Sequence, residues 1–430
     1  MTTTLNLDEL ADERLSARDK GLPARGFGLT VREFLDSDPR IGEFWTPIIA
    51  LDDEAMRSNL AVMAEWSSAR GLELMPHGKT TMAPALWQRQ LDIGCTGITL
   101  ATMGQVRTAR SFGLQSIMLA NSAVDARSLR YLAAELADPE FRFTCWVDSV
   151  ATIDAMERAL NGVELAQKVN VLVELGQDGG RTGARTIDEA TDVARRAAAS
   201  DVLRLAGVGG YEGSLGHDRS VHSMDAVRRY LERQVELHET LGALYDDGDI
   251  MVTAGGSAYF DVVADVYASA MPGDERTHWT LRSGAYITHD DGFYRGISPL
   301  DEAGTDVQNP LRSAMRGIAR IVSRPEPGLA LIDAGKRDFP FDEGLPIPRA
   351  HAAELGQPWR PLTGATITAM NDQHSYLALP KGSEAQDAAI GDVIALGLSH
   401  PCTAFDKWHY LPVVESAESD RVVDLVRTFF

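Results

Sequence analysis

Residues 169–208, VNVLVELGQDGGRTGARTIDEATDVARRAAASDVLRLAGV, hold the unit from which the fold is read. Val169–Glu174 is a strand-like apolar run. Gly176–Gly183 follows as a glycine-rich connection, Ile187–Ala199 reads as a helix, and Leu203–Val208 is the next strand-like run. Strand, helix, strand at this spacing is a parallel βαβ unit.

The same alternation continues outward. Strand-like runs lie near Leu72–Pro76, Gly97–Leu100, Ser116–Leu119 and Phe143–Val147 on one side, and at Ile250–Thr253 and His278–Leu281 on the other, eight in all. Helices such as Ser149–Leu160 and Val221–Tyr245 fit between them. Eight alternating units predict an α/β fold of the (β/α)8 barrel type, with a doubly wound sheet as the rival. Upstream, a strand at Thr46–Leu51 leads into a helix at Asp52–Arg70 that starts on an Asp cap and carries Met56, Leu60, Met63 and Ala64 at helical spacing. Beyond about residue 285 short β-type runs dominate: IARIVSR, LALIDAG, ATITAM, SYLAL, GDVIALGL and WHYLPVV. The expected organisation is a polar N-terminal extension (1–45), a barrel (46–285) and a C-terminal β domain (286–430). The strand at 46–51 lies outside the eight and is free to join the β domain.

Composition narrows the function classes. The chain has 430 residues, 44% apolar and 24% charged, with a net charge of -21. That is the balance of a soluble globular protein, and its acidity argues against nucleic acid and anionic membranes as partners. No apolar run approaches the roughly 20 residues of a membrane span, and MTTTLNLDELADERLSARDK lacks the features of a signal peptide. Three scattered cysteines, Cys95, Cys145 and Cys402, do not make a disulfide framework, so a cytoplasmic setting is expected.

Chemistry-bearing residues cluster after the strands, where barrel enzymes place their sites. Pro76-His77-Gly78-Lys79-Thr80 follows the first; a lysine held at a barrel mouth is suited to Schiff-base chemistry. The GKT triplet is not a phosphate loop, because Glu73 stands where that loop needs a glycine. Arg181, in Gly176–Gly183, suits an anionic cofactor or a substrate carboxylate, and Tyr211, in Gly209–Gly213, suits a cofactor contact. Gly255, Gly256 and Ser257 precede a helix and offer a phosphate site, with Arg282–Tyr286 close by. In the β domain, His400 and Cys402 are two apart in HPCTAFDKW; imidazole plus thiolate suits zinc, and two protein ligands leave room for water and substrate. His374 is a further polar candidate.

Together these motifs resemble the D-threonine aldolase and D-serine dehydratase family, within the alanine-racemase-like group of pyridoxal-phosphate enzymes. PHGKT is similar to the family's cofactor-lysine motif. HPCTAFDKW is similar to the metal motif of its D-serine dehydratase and bacterial amino acid deaminase branch. The motifs run in order from about residue 45 to 430. The resemblance implies pyridoxal 5'-phosphate carried on Lys79, with phosphate contacts near Gly255, Gly256 and Ser257; His77, Arg181, Tyr211 and Tyr286 are further candidate cofactor contacts. It also implies Zn2+ at His400 and Cys402, D-amino acid substrates, and a homodimer. The expected activity is dehydration and deamination of small D-3-hydroxy amino acids. The alternatives are a metal-dependent aldolase releasing glycine and an aldehyde, and a non-catalytic pyridoxal-phosphate carrier.

Overall fold

The structure is a computed structural model describing residues 3–301 and 309–430; residues 1–2 of the expected extension and 302–308 of the expected β domain lie outside the described residues. Eight parallel strands occur in chain order: Glu73–Leu74, Ile98–Leu100, Ser116–Leu119, Arg142–Val147, Val169–Leu175, Leu203–Gly210, Ile250–Ala254 and Thr277–Leu281. From the second onward each pairs with the next, and the eighth pairs with the first at Glu73↔Thr280 and Leu74↔Leu281. The bridge His77↔Thr99 joins the first to the second and closes the ring. That closure decides against the doubly wound alternative, whose sheet stays open. Inside the ring Met75, Met118, Trp146, Leu172 and Ala206 form their own packed cluster, as a barrel interior requires.

The outer helices begin where side chains satisfy their first amide groups. Ser149 caps Val150–Leu160, Thr186 caps Ile187–Ala198 through a reciprocal pair with Glu189, and Ser220 caps Val221–Thr240. Asp52 accepts from the Ala55 amide at 2.9 Å and starts the helix Asp53–Ser68.

The second sheet has ten strands. One of its inner strands is Ile48–Asp52, which pairs antiparallel with Met315–Glu326 and parallel with Tyr410–Val414. A segment from before the barrel thus completes the sheet built after it. The first 45 residues are less polar in place than in sequence: Leu5, Leu15, Leu22, Phe34 and Phe44 are buried. Backbone bonds tie this segment to both halves, Asn6 N–H to the Phe112 carbonyl at 2.9 Å and Ile41 N–H to that of Asp420 at 2.7 Å. Among the described residues no helix is long and apolar enough to cross a membrane.

Candidate active site

The barrel mouth opens into a cavity of about 360 Å3 lined by side chains from both sheets, a size within the roughly 300–1,000 Å3 of small-molecule sites. His77, Lys79, Arg181, Tyr211, Gly256, Ser257, His400 and Cys402 all line it. A larger cavity of about 1100 Å3 against the second sheet holds none of these residues. The chemistry therefore sits in the smaller one.

Lys79 lies on the short turn Gly78–Thr80 that leaves the first strand. Gly78 has to be glycine: a Cβ there would stand 2.4 Å from Ile98 Cγ2 and 2.6 Å from the Trp87 indole nitrogen. Trp87 instead donates to the Gly78 carbonyl at 3.1 Å, fixing the turn. Beside Lys79, His77 is held neutral by burial and by the nearby cations Lys79, Arg282 and Arg181. Its Nδ1 has no hydrogen-bond partner, and neither do Trp146 Nε1 and Arg282 Nε, which face the same region. Buried polar atoms left unpaired around a cavity mark a place for a polar ligand.

Arg282 is fully buried, with its guanidinium over the Trp146 ring at 5.1 Å. It donates to Thr253 Oγ1 at 2.7 Å and to the Gly210 carbonyl. Arg181 stacks over Tyr211 at 4.9 Å on the exposed side of the mouth. Burial, then Glu212, pushes the Tyr211 phenol up to about 12, and burial likewise keeps the Tyr294 phenol protonated. None of the cavity-lining residues is an aspartate or glutamate, so an acidic chain presents a cationic mouth.

Two expected contacts are corrected. The Gly255 and Gly256 amide groups already donate to the buried Glu212 carboxylate, at 2.9 and 2.6 Å. Gly255 does not line the cavity, and the Gly256 N–H is committed. What remains for a phosphate is the neighbouring turn: Ser257 Oγ, which accepts from the Ala285 N–H at 3.3 Å, together with Gly284. A Cβ at Gly284 would stand 2.5 Å from the His77 carbonyl, so the two loops close only around glycine. Tyr286 is the second correction. The turn Ala285–Ile287 carries it away from the mouth, where its hydroxyl meets Gln90 Nε2 at 3.3 Å and Cys95 Sγ at 3.9 Å in the core. With orphaned polar atoms on the barrel floor, a lysine at the side and a hydroxyl-bearing turn at the rim, the residues present fit pyridoxal phosphate.

His400 and Cys402 reach the same cavity from the β domain. Cys402 Sγ lies 3.3 Å from Thr80 Oγ1, on the residue after Lys79. Burial opposes charge on both groups, yet their hydrogen bond to each other wins: Cys402 is lowered and His400 is raised to about 9. His400 Nδ1 meets Asp342 Oδ2 at 2.6 Å, and Thr403 donates to Asp342 Oδ1 at 2.7 Å. A carboxylate behind a histidine fixes the ring for a metal at its other nitrogen. Among the described residues no group of three or more His, Cys, Asp or Glu is gathered for a metal. The pair offers one nitrogen and one sulfur donor, a donor set that zinc takes. His374 is exposed and does not line this cavity. Glu212, Trp146, Asn121, Tyr294 and Asp342 belong to the site or its support without having stood out in sequence.

The chain is similar to several known proteins. Residues 314–414, which include His400 and Cys402, match the family model described as "Putative serine dehydratase domain". The D-threonine aldolase of Arthrobacter sp is 28% identical over 86% of this chain and 89% of its own. The D-threo-3-hydroxyaspartate dehydratase of Delftia sp. (strain HT23) is 26% identical over 83% of this chain and 90% of its own; a variant of that dehydratase has been solved in a metal-free form. The crystal structure of D-threonine aldolase from Filomicrobium marinum superposes with a TM-score of 0.74 at 23% identity, covering 90% of this chain and 95% of its own. The chain is thus similar over most of its length to a D-threonine aldolase and a D-threo-3-hydroxyaspartate dehydratase, and its His–Cys pair lies in the stretch that matches the serine dehydratase domain model.

Proposed function

We propose that the protein is a pyridoxal-phosphate- and zinc-dependent dehydratase of small D-3-hydroxy amino acids, giving a 2-oxo acid and ammonium. The observation that carries this reading is the meeting of Lys79 with His400 and Cys402 in one cavity. Held through Lys79, pyridoxal phosphate would supply an electrophilic carbon for the substrate amine and an electron sink. Zinc on His400 and Cys402 supplies a Lewis acid for the β-hydroxyl.

The chain's own groups do the rest. Lys79 Nζ, once free, takes the α-proton. Arg181, at the exposed rim, receives the substrate carboxylate, matching its fork of donors to two oxygens. Neutral His77 and the protonated phenols of Tyr211 and Tyr294 hold the cofactor's polar edges without adding negative charge. Ser257 and the Gly284–Ala285 turn take the phosphate. Asp342 keeps His400 oriented while the hydroxyl departs.

Aldol cleavage to glycine and an aldehyde is the second reading, favoured by the likeness to D-threonine aldolase over most of the chain. The Cys402 thiolate favours dehydration, because sulfur selects zinc over harder metals. Incubation with D-threonine separates the two. The dehydratase yields 2-oxobutanoate and ammonium, whereas stoichiometric glycine rejects that reading, and borohydride reduction followed by peptide mapping should label Lys79. The reading also takes the working form to be a cytoplasmic homodimer, a setting that keeps Cys402 reduced; light scattering measures the mass.

A further inference from the structure

The segment ahead of the barrel touches the metal-binding motif through one side chain. Lys20 Nζ donates to Asp338 Oδ1 and to the Arg337 carbonyl, each at 3.2 Å, and lies 3.7 Å over the Trp408 ring. Asp338 and Trp408 sit on the two arms that form the His–Cys pair. Asp338 begins the arm that ends at Asp342, the carboxylate behind His400. Trp408 ends the arm that starts at His400 and carries Cys402. The arms are bonded to each other here, since Trp408 Nε1 donates to the Asp338 carbonyl at 2.9 Å.

We infer that Lys20 is a positioning residue for the His400–Cys402 pair, pinning both arms and thereby setting how tightly the pair holds its metal. The inference rests on the reading of that pair as a zinc site. Asp338 and Trp408 are each only 2% exposed while the Lys20 side chain is 41% exposed, so the ammonium reaches two buried partners from the solvent edge and is the cation that faces the Asp338 carboxylate there. A neutral side chain at position 20 leaves the Asp338 carboxylate buried without its cation. The arm must then move towards water, and Asp342 moves with it.

Hydrogen bonds fix the root of each arm. Asp338 Oδ2 accepts from the Gly335 N–H at 3.1 Å, and the Phe339 N–H donates to the Gly335 carbonyl at 3.0 Å. On the other arm the turn Cys402–Phe405 runs into Trp408, whose N–H donates to the Phe405 carbonyl at 3.2 Å. Gly21 holds Lys20 close. It adopts φ +82°, and a Cβ there would stand 2.6 Å from Ile48 Cγ2 and 3.4 Å from the Trp408 ring. Lys20 lies outside the matched dehydratase-type domain of residues 314–414.

The test uses the full chain and cobalt as the probe, because a cobalt–thiolate bond has its own charge-transfer absorption. Lys20→Met should bind cobalt about 10-fold more weakly, the scale of losses behind metal ligands, with a weaker thiolate band, and Lys20→Arg should restore both. Thr30→Ala loosens the same segment at the cap of helix Val31–Asp36, away from Lys20, and should leave cobalt affinity unchanged. If Lys20→Met does not fold, Asp338→Asn is titrated in its place with the same expectation. Wild-type affinity and absorption in Lys20→Met overturn the inference, as does equal weakening by Thr30→Ala. A wild-type protein whose cobalt spectrum is unchanged by Cys402→Ala overturns the metal reading and the inference with it.

Discussion

Glu212→Ala is the sharpest test of how the rim of the site is built. Glu212 is fully buried and its carboxylate accepts the amide hydrogens of Gly255 and Gly256. Truncation leaves the buried Gly255 amide and the half-buried Gly256 amide without acceptors, at about 1–3 kcal/mol for the first and less for the second, roughly 2–5 kcal/mol together. Water entering the vacated space recovers part of this, so the expected loss is about 3 kcal/mol. For a unit the size of the barrel that lowers the unfolding midpoint by roughly 6–12 °C in a calorimetric scan. Glu212→Gln keeps one carbonyl oxygen for one amide and should lose about half as much. The same change loosens the turn that leads to Ser257, so pyridoxal phosphate should dissociate about 10-fold more readily, a loss of about 1.4 kcal/mol. The reasoning is refuted by a midpoint within about 2 °C of wild type. It is refuted equally by tighter cofactor binding, which would mean that Glu212 competes for the amide groups instead of strapping them.

Asp342→Asn should weaken zinc binding by about 10–100-fold through loss of the charge behind His400, as read by competition with a chelator. Asp290 gives a pH-dependent outcome. Burial pushes its carboxyl up to about 7, while Oδ1 accepts from the amide groups of Gly292, Tyr294 and Arg295. The folded chain therefore holds a proton that the unfolded chain releases from about pH 4 upward, and this contribution to stability declines as pH rises from about 4 through 7. Asp290→Asn keeps the acceptor and removes the titration, so its stability relative to wild type should grow between pH 5 and pH 8 in urea unfolding. A constant difference would refute the assignment.

The barrel was legible because buried parallel strands are apolar runs, and such runs stand out between polar helices. Their ends were less so: the run at Leu72–Pro76 supplies a strand of only Glu73–Leu74. Lys79, His77, Arg181, Tyr211, Ser257, His400 and Cys402 could be listened for in sequence because each follows a strand or sits in a dense motif. Tyr286 misled because one short turn decides whether a residue after the eighth strand faces the mouth or Gln90. Gly255 misled because glycine amide groups look free until their acceptor is known, and Glu212 lies 43 residues upstream. Asp342 likewise meets His400 across 58 residues. An isolated acidic residue carries no sign of the distant donor it serves.

The inner position of Ile48–Asp52 sets an order of manufacture. This strand leaves the ribosome early, while its neighbours Met315–Glu326 and Tyr410–Val414 are made late. The barrel strands are complete by Leu281, yet the second sheet must wait for nearly the whole chain. Until then Ile48–Asp52 is a bare apolar edge, the kind of surface on which nascent chains join wrongly. A fragment cut at residue 286 would lack this inner strand, so the C-terminal half is not a portable module. His400 and Cys402 also arrive late, which means a prematurely terminated chain forms a barrel mouth without its thiolate.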